Sequence, residues 1–202
     1  MIRRLLLLLA AALALSPATA QTPPAPPAPA DVRVAIDTSA GKIIVAVHVA
    51  KAPITARNFL KYVDQKRFDG TTFYRAWGAV DYGFVQAGTQ NDPKRTLPPI
   101  KLEPTTQTGL THDTGALSMA RLAPNTGAGD FFIVLGTMPG MNADPAAPGD
   151  NLGFAVFAHV VEGLDVVKAI VAAPKSATKG EGVMKGQILE PEIRILSAKR
   201  LP

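Results

Sequence analysis

Eight short stretches of this chain alternate apolar and polar residues with the two-residue period of a strand, whereas only two repeat with a helical period. "VRVAID" (32–37) sets Val32, Val34 and Ile36 on one face, "TSAGK" supplies a turn at Gly41, and "IIVAVHV" (43–49) alternates again, so the pair reads as a β-hairpin. Further strands follow at "TTFYRAW" (71–77), "GFVQAG" (83–88), "GALSMA" (115–120), "FFIVLG" (131–136), "FAVFAHV" (154–160) and "EIRILSAKR" (192–200). One helix is expected in "APITARNFLKYVDQKRF" (52–68), where Ala52, Ala56, Phe59, Leu60 and Val63 share a side and Pro53 suits a first turn. The other is "EGLDVVKAIV" (162–171), which gathers Leu164, Val167 and Val171. Many strands with two amphipathic helices suit a closed barrel capped at its ends.

Ahead of the first strand, "MIRRLLLLLAAALALSPATAQ" joins Arg3 and Arg4 to an apolar run over 5–15 and the small-residue pattern Ala18-Thr19-Ala20. That is the pattern of a secretory signal peptide, residues 1–20, with a run too short to span a bilayer. "QTPPAPPAPA" (21–30) holds five prolines and reads as an extended Pro/Ala-rich linker, which leaves residues 31–202 as one domain without internal repeats. The chain has no cysteine, so neither a disulfide framework nor a lipid-anchor thiol is available. An exported protein without a stable membrane anchor is expected, in the periplasm or else secreted, and acting as a monomer. Losing Arg3 and Arg4 with the leader lowers the formal charge from +5 to +3, and the remaining basic residues are scattered, which argues against nucleic acid as a partner.

Several chemistries lack a seat. There is no GxSxG elbow, and the spacing of His112, Asp113 and Ser118 gives no reason for a catalytic triad. His48, His112 and His159 stand far apart in sequence without companion ligands, so no metal site is expected. No glycine-rich loop opens a helix, and no cofactor is expected. What remains is a set of hydrogen-bonding groups, Arg75, Gln86, Arg121, Asn125 and Asp130, beside Phe73, Phe84, Phe132 and Met141. Such a set suits an extended peptide, with apolar walls receiving a side chain and donors fixing carbonyls. Strand parity puts Phe73, Arg75 and Trp77 on one face and Tyr74 and Ala76 on the other. It also splits Phe131 from Phe132, so that one is core and the other a ligand wall. Two long segments, 89–108 and 136–151, carry Pro, Gly and Asp and should frame the site.

From about Val32 to Ile170 the chain resembles the cyclophilin-type peptidyl-prolyl isomerases. The resemblance rests on six blocks in order, "GKIIVAVHVAKAPITARNFLKYV", "FDGTTFYRAW", "FVQAG", "GLTHDTGALSMAR", "PNTGAGDFFIVLG" and "FAVFAHVVEGLDVVKAI". It implies a mainly β fold, a closed eight-stranded antiparallel barrel capped by two α-helices, acting on proline-containing polypeptides. By the same resemblance Arg75 is the catalytic arginine, Gln86 holds a substrate carbonyl and Phe132 floors the proline pocket. Phe84 and Met141 fall at pocket positions, Ala120 and Arg121 lie on the edge that clasps the peptide, and Phe73 packs beneath Arg75.

The chain departs from the family's pattern in four places. Ten residues, "AWGAVDYGFV", separate Arg75 from Gln86 where seven are usual, which rebuilds the rim. Asp130 replaces the usual Gln two residues before Phe132; it shares a strand face with Phe132 and Val134 and is expected to lie near Arg75 and pair with it. Gly140 falls at the usual Trp, and Phe154 at the pocket His or Tyr. Those last two losses should weaken binding of the cyclic peptide cyclosporin. Isomerisation of X-Pro bonds in exported proteins is the leading expectation. The alternative is a peptide-binding or chaperone-like module that keeps the groove with little or no turnover.

Overall fold

The computed structural model describes residues 30–202. The expected leader, and all of the linker except Ala30, lie outside the described residues. β1 (Val32–Thr38) and β2 (Gly41–Val47) form the hairpin read from the alternation, in register from Val32↔Val47 to Thr38↔Gly41. With β3 (Thr72–Ala79), β4 (Tyr82–Gly88), β5 (Ala116–Met119), β6 (Asp130–Leu135), β7 (Ala155–Glu162) and β8 (Ile188–Arg200) they close a barrel in the order β1-β2-β7-β5-β6-β4-β3-β8. Every pairing is antiparallel. Closure leaves no free sheet edge, and the alternating apolar residues Val34, Ile36, Ile43, Val45, Val85, Leu117, Phe131 and Ile133 fill the interior.

α1 (Pro53–Asp64) starts with Pro53 in its first turn and buries Ala56, Phe59, Leu60 and Val63, as the period predicts. Phe59 meets Phe131 edge-on at 5.5 Å and Phe157 at 5.1 Å between ring centres, so the helix seals the barrel with aromatic contacts. The N-terminal amides of α1 have no capping side chain of their own. Glu103, buried in the 89–108 segment, supplies the cap from a distance: Ile54 N and Thr55 N donate to its carboxylate at 3.0 and 2.7 Å, and the Thr55 hydroxyl donates at 2.7 Å. α3 (Leu164–Ala172) buries Val167, Ile170 and Val171. Val166 of α3 crowds the start of β2 at Gly41, whereas α1 follows the end of β2, so the two helices cover opposite ends of the barrel.

Between them lies a third helix that the sequence reading did not anticipate, α2 (Thr105–Thr108). One turn is too short to display a period, and it ends at Gly109 in the left-handed region (φ 69°). β8 also begins four residues before the expected "EIRILSAKR".

The ten residues between Arg75 and Gln86 lengthen a hairpin instead of opening a loop. The ladder runs Ala76↔Val85, Trp77↔Phe84, Gly78↔Gly83 and Ala79↔Tyr82, leaving only Val80 and Asp81 to turn. A Cβ on Gly78 would stand 2.3 Å from Tyr82 O and one on Gly83 2.3 Å from Trp77 O, so the facing glycines permit the close backbone approach.

Candidate active site

Strand parity fails in β3, at the place where it matters most for the site. The β3–β4 register passes from Phe73↔Ala87 straight to Arg75↔Gln86, so Tyr74 is the extra residue of a bulge. Phe73 and Ala76 therefore both face the barrel interior and are fully buried, while Tyr74, Arg75 and Trp77 face outward. The expected face shared by Phe73, Arg75 and Trp77 is thus corrected. Phe73 packs edge-on against Phe131 at 6.1 Å inside the barrel and does not reach the outer groove.

That groove, of about 600 Å³, lies over the outer faces of β3, β4 and β6 and is lined by Arg75, Phe84, Gln86, Ala120, Arg121, Asp130, Phe132, Met141 and Phe154. Its volume suits a short stretch of peptide. Phe132, Val134 and Met138 form a small apolar cluster outside the barrel, with Phe84, Ala120, Met141 and Phe154 against it. Phe131 is the core partner of the pair and Phe132 the outer one. Phe84 and Phe154 stand 5.8 and 5.3 Å from the Phe132 ring, making a three-sided aromatic pocket.

Arg75 borders this pocket with its guanidinium carbon 5.0 Å from the centre of the Phe84 ring. Its Nε donates to Gln187 Oε1 at 2.9 Å and its Nη1 to Gln86 Oε1 at 3.0 Å. Gln86 Nε2 donates to the Tyr74 hydroxyl at 2.5 Å, and that hydroxyl donates to Asp130 Oδ2 at 3.0 Å. Asp130 Oδ1 accepts from Gln90 N at 2.8 Å. The expected Arg75–Asp130 ion pair is therefore not formed: the bulge inserts Tyr74 between them, and both carboxylate oxygens are occupied. Burial raises the pKa of Asp130 above the ordinary carboxylate value and, together with the adjacent carboxylate, that of Tyr74. Burial lowers that of Arg75, from a value high enough to leave it charged at neutral pH. Two of five guanidinium N–H donors are committed, and one of two on the Gln86 amide. The remainder are available at the pocket's edge.

Over residues 33–200 the chain matches the family described as cyclophilin type peptidyl-prolyl cis-trans isomerase/CLD. It belongs to the cyclophilin-type isomerases. This cyclophilin is 36% identical over 150 residues to a peptidyl-prolyl cis-trans isomerase of Streptomyces antibioticus, covering 73% of the chain and 87% of the relative. It is 33% identical over 172 residues to peptidyl-prolyl cis-trans isomerase B of Escherichia coli, covering 81% and 96%. Its fold is similar to that of a Cryptosporidium parvum cyclophilin type isomerase whose crystal structure was determined in the presence of the dipeptide Ala-Pro. That likeness has a TM-score of 0.68 at 20% identity, covers 84% of this chain and 99% of the other, and bears on the fold alone.

Around the pocket, this cyclophilin carries supports that its sequence did not disclose. His112 and Ser118, read as lacking triad geometry, are in fact hydrogen-bonded: His112 Nε2 lies 2.9 Å from Ser118 Oγ, and Nδ1 lies 2.7 Å from Asn142 Oδ1. Because Asn142 Oδ1 can only accept, Nδ1 carries the proton and Nε2 accepts from the serine hydroxyl. Both residues are fully buried, so Ser118 has no path to a substrate. The imidazole, kept neutral by burial, stacks on Phe132 at 5.9 Å and braces the pocket floor from behind. Arg121 is likewise a strut: it donates twice to Asp150 at 2.8 and 2.9 Å and once to Gly153 O at 2.7 Å, with its guanidinium 5.3 Å from the Phe154 ring. Those bonds hold the Asp150 carboxyl down to about 2. His48 and His159, read as solitary, meet across β2 and β7 at 3.2 Å between Nε2 and Nδ1, with Asp31 on the far side of His48 at 2.8 Å. Strand pairing brings together what 111 residues separate. Tyr74, Asn91, Met184 and Gln187 also belong to the site's surroundings and were not foreseen; the last two come from the segment between α3 and β8, far along the chain from Arg75.

Proposed function

We propose that this cyclophilin accelerates rotation about X-Pro bonds by offering an Arg75 N–H to the prolyl nitrogen as the imide twists. Rotation must break amide resonance, a barrier of roughly 18–20 kcal/mol, and as conjugation is lost the nitrogen gains a localised lone pair. A donor aimed at that nitrogen binds the twisted state more strongly than either planar state, which lowers the barrier without a covalent intermediate or proton transfer. The observation that carries this reading is the guanidinium's anchorage: Gln86 and Gln187 fix its plane beside the Phe132 pocket while leaving donors free. Phe132, Phe84, Met141 and Phe154 would hold the pyrrolidine ring and keep water from competing for the donor. The spare Gln86 amide N–H suits a substrate carbonyl.

Asp130's separation from Arg75 favours turnover over a binding module, since the cation is not consumed by a neighbouring acid. The clients we propose are exported polypeptides whose folding waits on prolyl isomerisation, in the periplasm or beyond, on the strength of the leader pattern over 1–20. Isomerisation of an Ala-Pro peptide that disappears in Arg75→Ala supports the catalytic reading. Peptide binding without acceleration supports the module, and cell fractionation with the chain found in the cytoplasm rejects export.

A further inference from the structure

A row of aromatic rings leaves the groove along the β3–β4 hairpin. Phe84, which lines the groove, stacks on its cross-strand partner Trp77 at 5.8 Å and 27°, and Trp77 meets Tyr82 edge-on at 6.0 Å. Trp77, Val80 and Tyr82 are 38%, 40% and 53% exposed, a cluster of large apolar side chains at one end of the molecule. Cross-strand stacking explains why these rings touch; it does not explain why their outer surfaces stay open to water, and clustered exposure of this kind marks interaction surfaces. The facing Gly78 and Gly83 let the two backbones stay paired up to the turn, which keeps the three rings on one face of the hairpin.

We propose that Trp77 and Tyr82 form an accessory subsite for an apolar side chain of the substrate polypeptide, on the side of the proline leading away from Ala120. This inference rests on the groove being the prolyl site. Continuity carries it: Phe84 belongs both to the proline pocket and to the aromatic row. From Phe132 to Trp77 is two ring-to-ring steps of 5.8 Å each, which about three residues of extended chain can cover. At the turn Asp81 lies 3.9 Å from Lys168 of α3 and the two charges offset one another, so the surface favours an aromatic or aliphatic side chain over a charged one. Client segments would thus be unfolded stretches with an apolar residue two to four positions from the proline.

The test compares peptides of about eight residues that carry Phe or Ser at each of those positions, before and after an Ala-Pro bond, with a short Ala-Pro peptide that cannot reach the hairpin. At one position Phe should raise kcat/KM over Ser by about five- to tenfold, and Tyr82→Ser or Trp77→Ser should bring that ratio close to one. Trp77→Phe, which keeps a ring for the hairpin, should retain part of the gain and guards against misfolding of the serine variants. Trp77 is the single tryptophan of the chain, so its emission reports occupancy directly: Phe peptides should shift it and Ser peptides should not. A Phe/Ser ratio near one at every position, a ratio unchanged in the variants, or unaltered emission at saturation overturns the proposal. So does sedimentation showing that a second copy of the chain covers Trp77. If the native chain turns over no prolyl peptide at all, the isomerase reading alone fails, and the emission titration still decides the subsite.

Discussion

Replacing Arg75 by alanine removes the cation beside the Phe84 wall of the pocket while touching little that holds the barrel together. The side chain is partly exposed, and its two acceptors, Gln86 and Gln187, sit where water can replace the lost donors. The cost in fold stability should therefore stay within about 1 kcal/mol. The cost in transition-state stabilisation is larger. A preorganised donor directed at developing charge in a water-poor site contributes about 3–4 kcal/mol, which is a loss of about 10²–10³ in kcat/KM. Arg75→Lys separates charge from geometry. An ammonium keeps the charge, but it cannot repeat the planar fork that spans Gln86 Oε1 and Gln187 Oε1 while leaving a third donor free. About a ten- to hundredfold loss is expected for lysine, between native and alanine. The assay is exchange spectroscopy by nuclear magnetic resonance on a short Ala-Pro peptide, with circular dichroism and thermal melting as controls. An alanine variant that melts normally and retains activity within about threefold, less than about 0.7 kcal/mol, refutes the role assigned to this side chain.

The other expectations concern the supports. Asp130→Asn keeps an acceptor for the Tyr74 hydroxyl, so activity at neutral pH should change by less than about threefold. Because burial raises the Asp130 pKa in the folded state, the folded chain binds this proton more tightly than the unfolded chain. The raised pKa thus favours the fold fully below the ordinary carboxylate value near pH 4, and that contribution is lost as the pH rises through the folded value. Urea midpoints of the native chain should show that component, and Asp130→Asn should lack it; identical pH profiles would exclude it. Glu103→Ala strands two amides and a hydroxyl at the start of α1 and should cost about 3 kcal/mol, Glu103→Gln about half that, by the same urea measurement. A Glu103→Ala loss under about 0.5 kcal/mol would remove the cap argument. Cyclosporin should inhibit weakly. Gly140→Trp, for which no atom lies within 4 Å of the added Cβ, should strengthen inhibition, whereas micromolar or tighter inhibition of the native chain contradicts the reading.

Much of this architecture is legible in the sequence because alternation is a direct image of which face is buried: Val34, Ile36, Ile43 and Val45 point inward as their spacing requires. The reading breaks where the chain departs from regular geometry. A bulge is one unpaired residue with no compositional mark, and at Tyr74 it reverses which of Phe73 and Arg75 can share a surface. It also removes the expected ion pair, since the bulge carries Tyr74 onto the face of Asp130, where its hydroxyl meets the carboxylate in place of Arg75. Contacts between distant strands are equally mute in sequence. His48 finds His159, and Gln187 finds Arg75, only because the barrel closes. Ser118 and His112 illustrate the same point from the other side: their hydrogen bond exists, yet complete burial makes it a brace and not a catalyst.

The carboxylate of Glu103 reaches out of a rim segment to grip the first turn of the plug helix. Variation in that segment is therefore not free to drift as surface loops usually are. A chimera that exchanged residues 89–104 for the shorter connection of another barrel would alter the mouth of the groove and unfasten the lid at the same stroke. Remodelling the entrance would have to carry an acidic residue along, at a matching depth, for the transplanted protein to remain intact.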